Sequence, residues 1–399
     1  MSDVRTYREL FVVSEFKPLF AAVSLQVAAG TIGGLALATL VFSRTGSPLL
    51  SALSLFGASF AQVIGGLTLL SAADRVPPRV TLAGMAVIFA VGTFALAIPG
   101  ISVWVMLLII LATGLINSPG GGVRWGLLSE ILPENGYVLG RSMMNISVGG
   151  MQIAGFAVGG ALVAIISPRN ALLVAAILEI VAALVLWFGL SSRPARAAGR
   201  PSVRETWRVD RQLWSDPARR NVYLALWVPN GLVVGCEALF VPYAHESAGV
   251  LFIAGALGML AGDTLAGRFL PPGSRTRFVT PLRMLLAAPY LLFALVLPLP
   301  VAAVAVAVAS IGFGAGLLLQ ERLIAATPAD MRGQALGLHS SGMLTMQAVG
   351  ATLAGAIAEY LPTGRAMVTM AAVSLIATVV LTPRLRRPLN RPVGNDVHI

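Results

Sequence analysis

Charge is what this chain has least of. Of its 399 residues only 11% are Asp, Glu, Lys or Arg, against 57% hydrophobic, and the mean hydropathy is +0.84. A soluble domain carries about 25% charged residues, so most of this surface is not made for water. The single cysteine, Cys236, excludes an internal disulfide and a thiolate metal cluster. The three histidines, His245, His339 and His398, are too scattered to ligate a metal together, so no metal and no cofactor is expected. There is no GxxxxGK[ST] loop for ATP and no pair of Asp-rich motifs for magnesium and diphosphate. The adjacent His339-Ser340, at a helix end, is poor geometry for intramembrane proteolysis. These absences argue against an enzyme. A cleavable signal is not expected either, because residues 1–15 are polar and the first apolar run is too long for a signal core.

What the chain has is apolar runs. Twelve recur, at about 16–42, 49–72, 80–98, 102–129, 141–166, 169–190, 220–243, 248–270, 279–298, 300–325, 334–360 and 364–383. Each is long enough to cross a hydrocarbon core of about 30 Å as a helix. The fold class expected is an all-α membrane protein with twelve transmembrane helices in two six-helix bundles, residues 1–190 and 220–399. Between them, residues 191–219 form a basic polar linker. Trp207 and Trp214 there, seven apart among arginines, predict an amphipathic helix lying on a membrane surface. Tyr7, Leu10, Phe11 and Phe16 beside Arg5, Arg8 and Lys17 predict a short interfacial helix before span 1.

Charge then sets orientation. With both termini cytoplasmic, 25 of the 28 basic residues fall on the cytoplasmic side, Arg283 counted among them, and only Arg44, Arg169 and Arg365 fall opposite. Topology thereby accounts for the net charge of +11, and nucleic acid is not an expected partner. The expected location is the inner (cell) membrane, with the lipid bilayer as solvent.

The chain also repeats itself. Arg141 to Ala161 reads RSMMNISVGGMQIAGFAVGGA, and 195 residues later Leu336 to Ala356 reads LGLHSSGMLTMQAVGATLAGA. Met151-Gln152 falls on Met346-Gln347, Gly155 on Gly350 and Gly160 on Gly355. Only seven glutamines occur in the chain, so two inside matched apolar runs are informative. A parallel repeat in an apolar chain is a transporter signature.

Polar residues inside spans are costly, and their positions carry the functional reading. Span 1 holds Gln26 and span 2 Gln62. Span 4 sets Asn117 and Arg124 on one face around Ser118-Pro119-Gly120-Gly121-Gly122, which should break the helix. Span 5 aligns Asn145 with Gln152, and span 11 aligns Ser340 with Gln347. Span 7 aligns Tyr223, Asn230 and Glu237 around Pro229. These residues are the substrate-cavity candidates. Glu237 is the first candidate for proton coupling and Glu179, near the centre of span 6, the second. The alternative for each is structural: a protonated glutamate, or glutamines hydrogen-bonded between helices. Spans 3, 9 and 12 hold little that is polar in their middles and read as lipid-facing.

With these residues in view, the sequence resembles the major facilitator superfamily over essentially its whole length. Ala73-Asp74-Arg75-Val76-Pro77-Pro78-Arg79 is similar to the family's signature between helices 2 and 3, with Pro77-Pro78 where Gly-Arg is usual. Gly262-Asp263 through Gly267-Arg268 is a weaker echo after span 8. Gly155-Phe156-Ala157-Val158-Gly159-Gly160 is similar to the antiporter motif GPxxGG, with Phe in the proline position. Arg124 through Glu130 and Pro133 resembles the end of helix 4 in bacterial drug and siderophore exporters.

The resemblance implies alternating access, with cytoplasmic gate residues at Asp74, Arg75, Arg79, Arg124, Glu130, Asp263, Arg268, Glu321 and Arg322. It also implies a monomer. Together, residues and resemblance predict proton-driven export of a small amphipathic compound, neutral or weakly cationic, such as a drug, an antibiotic or a secondary metabolite. The alternatives are proton-coupled uptake of a small polar solute and, from another class, a polytopic membrane enzyme.

Overall fold

The structure is a computed structural model that describes residues 6–73, 77–118, 120–194, 203–271, 273–328 and 331–385. Among the described residues it is all helix, with no strand. Chain order gives α1 (Tyr7–Leu10), α2 (Phe16–Thr45), α3 (Pro48–Ala73), α4 (Pro78–Leu96), α5 (Val103–Asn117), α6 (Gly120–Ile131), α7 (Glu134–Ile165) and α8 (Pro168–Gly189). Then come α9 (Val203–Ser215), α10 (Pro217–Ala238), α11 (Phe240–Ala244), α12 (Ala248–Thr264), α13 (Arg275–Ala287), α14 (Leu299–Ile311), α15 (Ala315–Ala325), α16 (Arg332–Ala358) and α17 (Thr363–Leu385).

Eleven helical stretches among the described residues are long and apolar enough to cross a membrane. One of them, Pro217–Phe269, has 53 residues. At 1.5 Å per residue that is roughly 80 Å, more than twice the hydrocarbon thickness. It turns at His245, the one described non-glycine residue with positive φ (51°), where a 3-10 turn His245–Ser247 joins α11 to α12. Ten stretches therefore cross once and the eleventh twice, which gives the twelve passages expected.

Local chemistry sets the ends. The Ser102 and Ser167 hydroxyls accept the Val105 and Asn170 amides at the starts of α5 and α8, and Asp216 accepts the Ala218 amide ahead of Pro217. Gly46, at φ 64°, closes α2 in the left-handed conformation that costs glycine nothing. In span 4, α5 stops at Asn117 and α6 starts at Gly120; Pro119, on which the expected break rests, lies outside the described residues. Pro229 instead stays inside α10, and its carbonyl accepts the Ser374 hydroxyl at 3.1 Å.

The chain divides into two compact units, residues 1–200 with 240–256, and residues 201–239 with 257–399. Inside the first, α2 packs on α7 and α8, α4 on α8, and α3 on α5. Inside the second, α10 packs on α16 and α17, and α17 on the 3-10 segment Ala288–Ala294 that continues α13. In span numbers, the 1–5, 1–6 and 3–6 contacts of one unit recur as 7–11, 7–12 and 9–12 in the other. That is the sequence repeat made physical. The repeated glycines explain it, since a Cβ at Gly155 would strike Thr31 and one at Gly350 would strike the Gly231 carbonyl. Only a residue without a side chain allows helices this close.

Each unit leaves apolar side chains outside. Val87, Val91 and Phe94 on α4, Leu292 and Leu295 after α13, and Ile376 and Val380 on α17 are exposed. Spans 3, 9 and 12 are not alone in this: Trp104 and Leu108 on α5, Phe188 on α8 and Val304 on α14 are exposed as well. The linker differs from expectation. α9 forms, but Val209 and Leu213 are buried against Ala335, and Trp214 stacks on Trp227 at 5.6 Å with rings 10° apart. Protein rather than lipid covers much of its apolar face, because α10 and α16 present their own aromatic and small residues there. α1 likewise folds back, with Leu10 fully buried and the Tyr7 hydroxyl 3.2 Å from Ser142 Oγ.

Candidate functional site

In the first unit the polar residues meet at Glu179. One face of α8 is buried at Leu172, Ala175, Ala176, Ala182, Ala183 and Leu186, and Glu179 lies in that stripe at 6% exposure. The spacing is helical, so the same periodicity that packs α8 inward carries a carboxylate with it. Gln26 of α2 donates to Glu179 and accepts from Arg124 Nη2 of α6 at 3.4 Å. An amide can do both because it holds a donor and an acceptor. Gln26 therefore stands between a half-buried cation and a buried anion. Glu179 Oε2 has no hydrogen-bond partner, so this carboxyl can take a proton without losing the Gln26 bond.

In the second unit Gln347 Nε2 donates to Asn230 Oδ1 at 3.4 Å, joining α16 to α10. Glu237, two turns beyond Asn230 on α10, is half-buried and within electrostatic reach of Tyr290. Tyr223 is fully buried and its hydroxyl donates to the Ala335 carbonyl at 3.2 Å, so its ring serves packing within the unit. The Trp227 indole donates to the His339 carbonyl at 3.1 Å. Gln62, Asn117 and Gln152 are half-buried, while Asn145 and Ser340 are exposed.

Among the gate candidates, Asp74 and Arg75 lie outside the described residues. The Arg79 guanidinium sits over the Trp187 ring at 4.5 Å. Arg193, after α8, pairs with Glu15 before α2 and reaches Glu130 at 3.8 Å, and the Ser191 amide donates to Glu15 at 2.6 Å. Burial alone would raise the Glu15 carboxyl, but the Arg193 and Ser191 bonds outweigh it and hold that carboxyl below the usual range. Glu321 pairs with Arg275 at 2.9 Å. Asp263 and Arg322 are half-buried and Arg268 is exposed.

Sequence reasoning missed two groups. The Glu15–Arg193–Glu130 clasp joins the ends of three spans, and nothing in the order of residues announces that. Arg283 was counted with the cytoplasmic charges, yet it is 1% exposed inside the second unit. Its position eight residues beyond Arg275 was the available signal: at 1.5 Å per residue it lies about 12 Å deeper.

Two helical units with repeated contacts, and ionisable side chains held within membrane-length helices, define a multi-pass membrane protein of the carrier class. The sequence matches the Major Facilitator Superfamily over residues 19–320. The chain belongs to that superfamily, and is a secondary active transporter of small molecules rather than an enzyme. Comparison with curated proteins finds no match. Among solved structures it is similar to a POT family transporter in complex with a thioalcohol-conjugated peptide, at 13% identity and TM-score 0.71, covering 95% of this chain and 97% of that one. It is also similar to a bacterial homolog of the human lysosomal transporter Spinster in an inward-facing, unoccupied conformation. There the identity is 16% and the TM-score 0.64, with coverage of 96% and 95%. At these identities the likeness speaks for the fold.

Proposed function

We propose that this transporter exports a small amphipathic compound in exchange for protons, by alternating access, in the cell membrane with both termini cytoplasmic. The observation that carries the reading is the Arg124–Gln26–Glu179 array in the first unit, with Glu179 its buried member. A carboxylate kept in an apolar helix face, with one oxygen unpartnered, is a proton acceptor whose occupancy alters the charge facing Arg124. Glu237 is the candidate carboxylate of the second unit, with no counterpart at the matching place in span 1. Neither is expected to bind a metal, and Gln152, Asn230 and Gln347 supply amide contacts to cargo.

Export rather than uptake is supported by the likeness of Gly155–Gly160 to an antiporter motif. In this chain Gly155 lets α7 press on α2 at Thr31 and Ala28. Phe156, in the motif's proline position, stacks on Phe252 at 4.6 Å. The test is a cargo screen in proteoliposomes under an imposed pH gradient of either sign. Amphipathic compounds are expected to move against the proton flow. Cargo moving only with the protons would replace export by uptake.

A further inference from the structure

The second unit buries a cation for which the transport reading has no use. Arg283, on α13, is 1% exposed, and Nε, Nη1 and Nη2 are all buried without a hydrogen-bond partner. A charge inside a membrane protein is costly unless it is paired, and removing the partner of a buried charge is costlier than removing an apolar contact. Arg283 lines a cavity of about 30 Å³ with Pro229 and Asn230 of α10, Leu286, Phe313 and Gly316. None of the residues lining it is acidic. The space is larger than the 10–15 Å³ or so that a single water requires.

The polar side chains lining this cavity, Arg283 and Asn230, both offer donors. Asn230 Oδ1 already accepts from Gln347, which leaves its NH2 group to donate. Pro229 has no N–H to offer the Ala225 carbonyl, but one carbonyl dipole cannot balance a full guanidinium charge. The 3-10 turn Gly312–Gly314 packs closely on α13, where a Cβ at Gly312 would strike Leu286 and Leu282, while a Cβ at Gly316 would meet nothing within 4 Å. An unbalanced positive charge with an amide donor on the same wall selects a compact anion.

The geometry points to a binding site for a small monovalent anionic group, a halide ion or a carboxylate, held by Arg283 and Asn230. This site is separate from the carboxylates assigned to proton coupling. It binds whether or not those carboxylates move protons. A free inorganic anion and the carboxylate of a cargo molecule share the chemistry, and their sizes separate them in the assay.

The experiment is thermal unfolding of the purified full-length protein in detergent at fixed ionic strength. Sodium chloride or sodium acetate replaces sodium isethionate, whose bulky sulfonate the cavity cannot admit. The wild type is expected to gain roughly 2–5 °C, saturably, with one of the two anions. Chloride alone identifies an inorganic ion, and acetate alone identifies the head group of a carboxylate ligand. Arg283→Gln should abolish the gain, and Arg283→Lys should shift its midpoint at least tenfold upward. Should Arg283→Gln fail to fold, Asn230→Ala serves: its midpoint should also rise about tenfold. A wild type indifferent to both anions, or variants with unchanged midpoints, would overturn the site. Because no flux is measured, loss of this site leaves the export reading standing, and failure of export leaves this site standing.

Discussion

Replacing Glu179 tests the array on which the proton reading rests. Arg124 reaches Gln26 at 3.4 Å. The width of an amide is about 2 Å and a second hydrogen bond about 3 Å, so the two charges lie roughly 8 Å apart. With Glu179 ionised, as at alkaline pH where the cycle is to be run, and an effective dielectric of about 20, their attraction is about 2 kcal/mol. Glu179→Leu and Arg124→Met should each destabilise the protein, since each strands a buried charge. The double variant should recover about 2 kcal/mol of the summed loss, because no charge is then left alone. The assay is a double-mutant cycle by denaturant unfolding in detergent. Glu179→Gln should also keep the Gln26 contact while ending proton-driven transport. A coupling under about 0.5 kcal/mol, together with normal pH-driven flux in Glu179→Gln, would refute the reasoning.

Three further outcomes follow from contacts already described. Glu15→Gln should cost about 1–2 kcal/mol at pH 7 by removing a charge-assisted pair at 17% side-chain exposure. The folded carboxyl is depressed, so its contribution is complete above the ordinary Glu range and is lost as pH falls through the folded value. A stability profile in which Glu15→Gln matches wild type at pH 7 would remove the clasp from the account. Gly350→Leu should prevent folding, because even a Cβ there would strike the Gly231 carbonyl oxygen; a folded variant of normal yield would contradict the close α10–α16 crossing. Trp227→Phe keeps the ring but loses the donor to His339, and should cost about 1 kcal/mol by unfolding, with no change meaning that the bond is not formed.

How much of this was legible in the sequence depends on the range of the interaction. Span lengths and ends come from local hydrophobic runs, prolines and caps, and α2, α3, α4 and α8 begin and end within about three residues of the expected positions, while α7 starts at Glu134, ahead of the expected 141. The duplication was legible because Gly155 and Gly350 perform the same steric task in each unit. Partners were not. Glu179 was visible as a carboxylate in an apolar span, but its link through Gln26 to Arg124 depends on how spans 1, 4 and 6 meet. The burial of Arg283 was not legible because the positive-inside rule counts arginines near helix ends and says nothing of how each is packed. The linker helix was misread for a related reason. Its amphipathic pattern fixes one apolar face but not whether lipid or α16 covers it.

Proton flux measured beside cargo flux in proteoliposomes tests the central claim most directly. A pH dye should report protons entering as cargo leaves, with both signals lost together in Glu179→Gln and Glu237→Gln. Cargo movement that continues unchanged when the proton gradient is collapsed, or when both carboxylates are removed, would contradict the account.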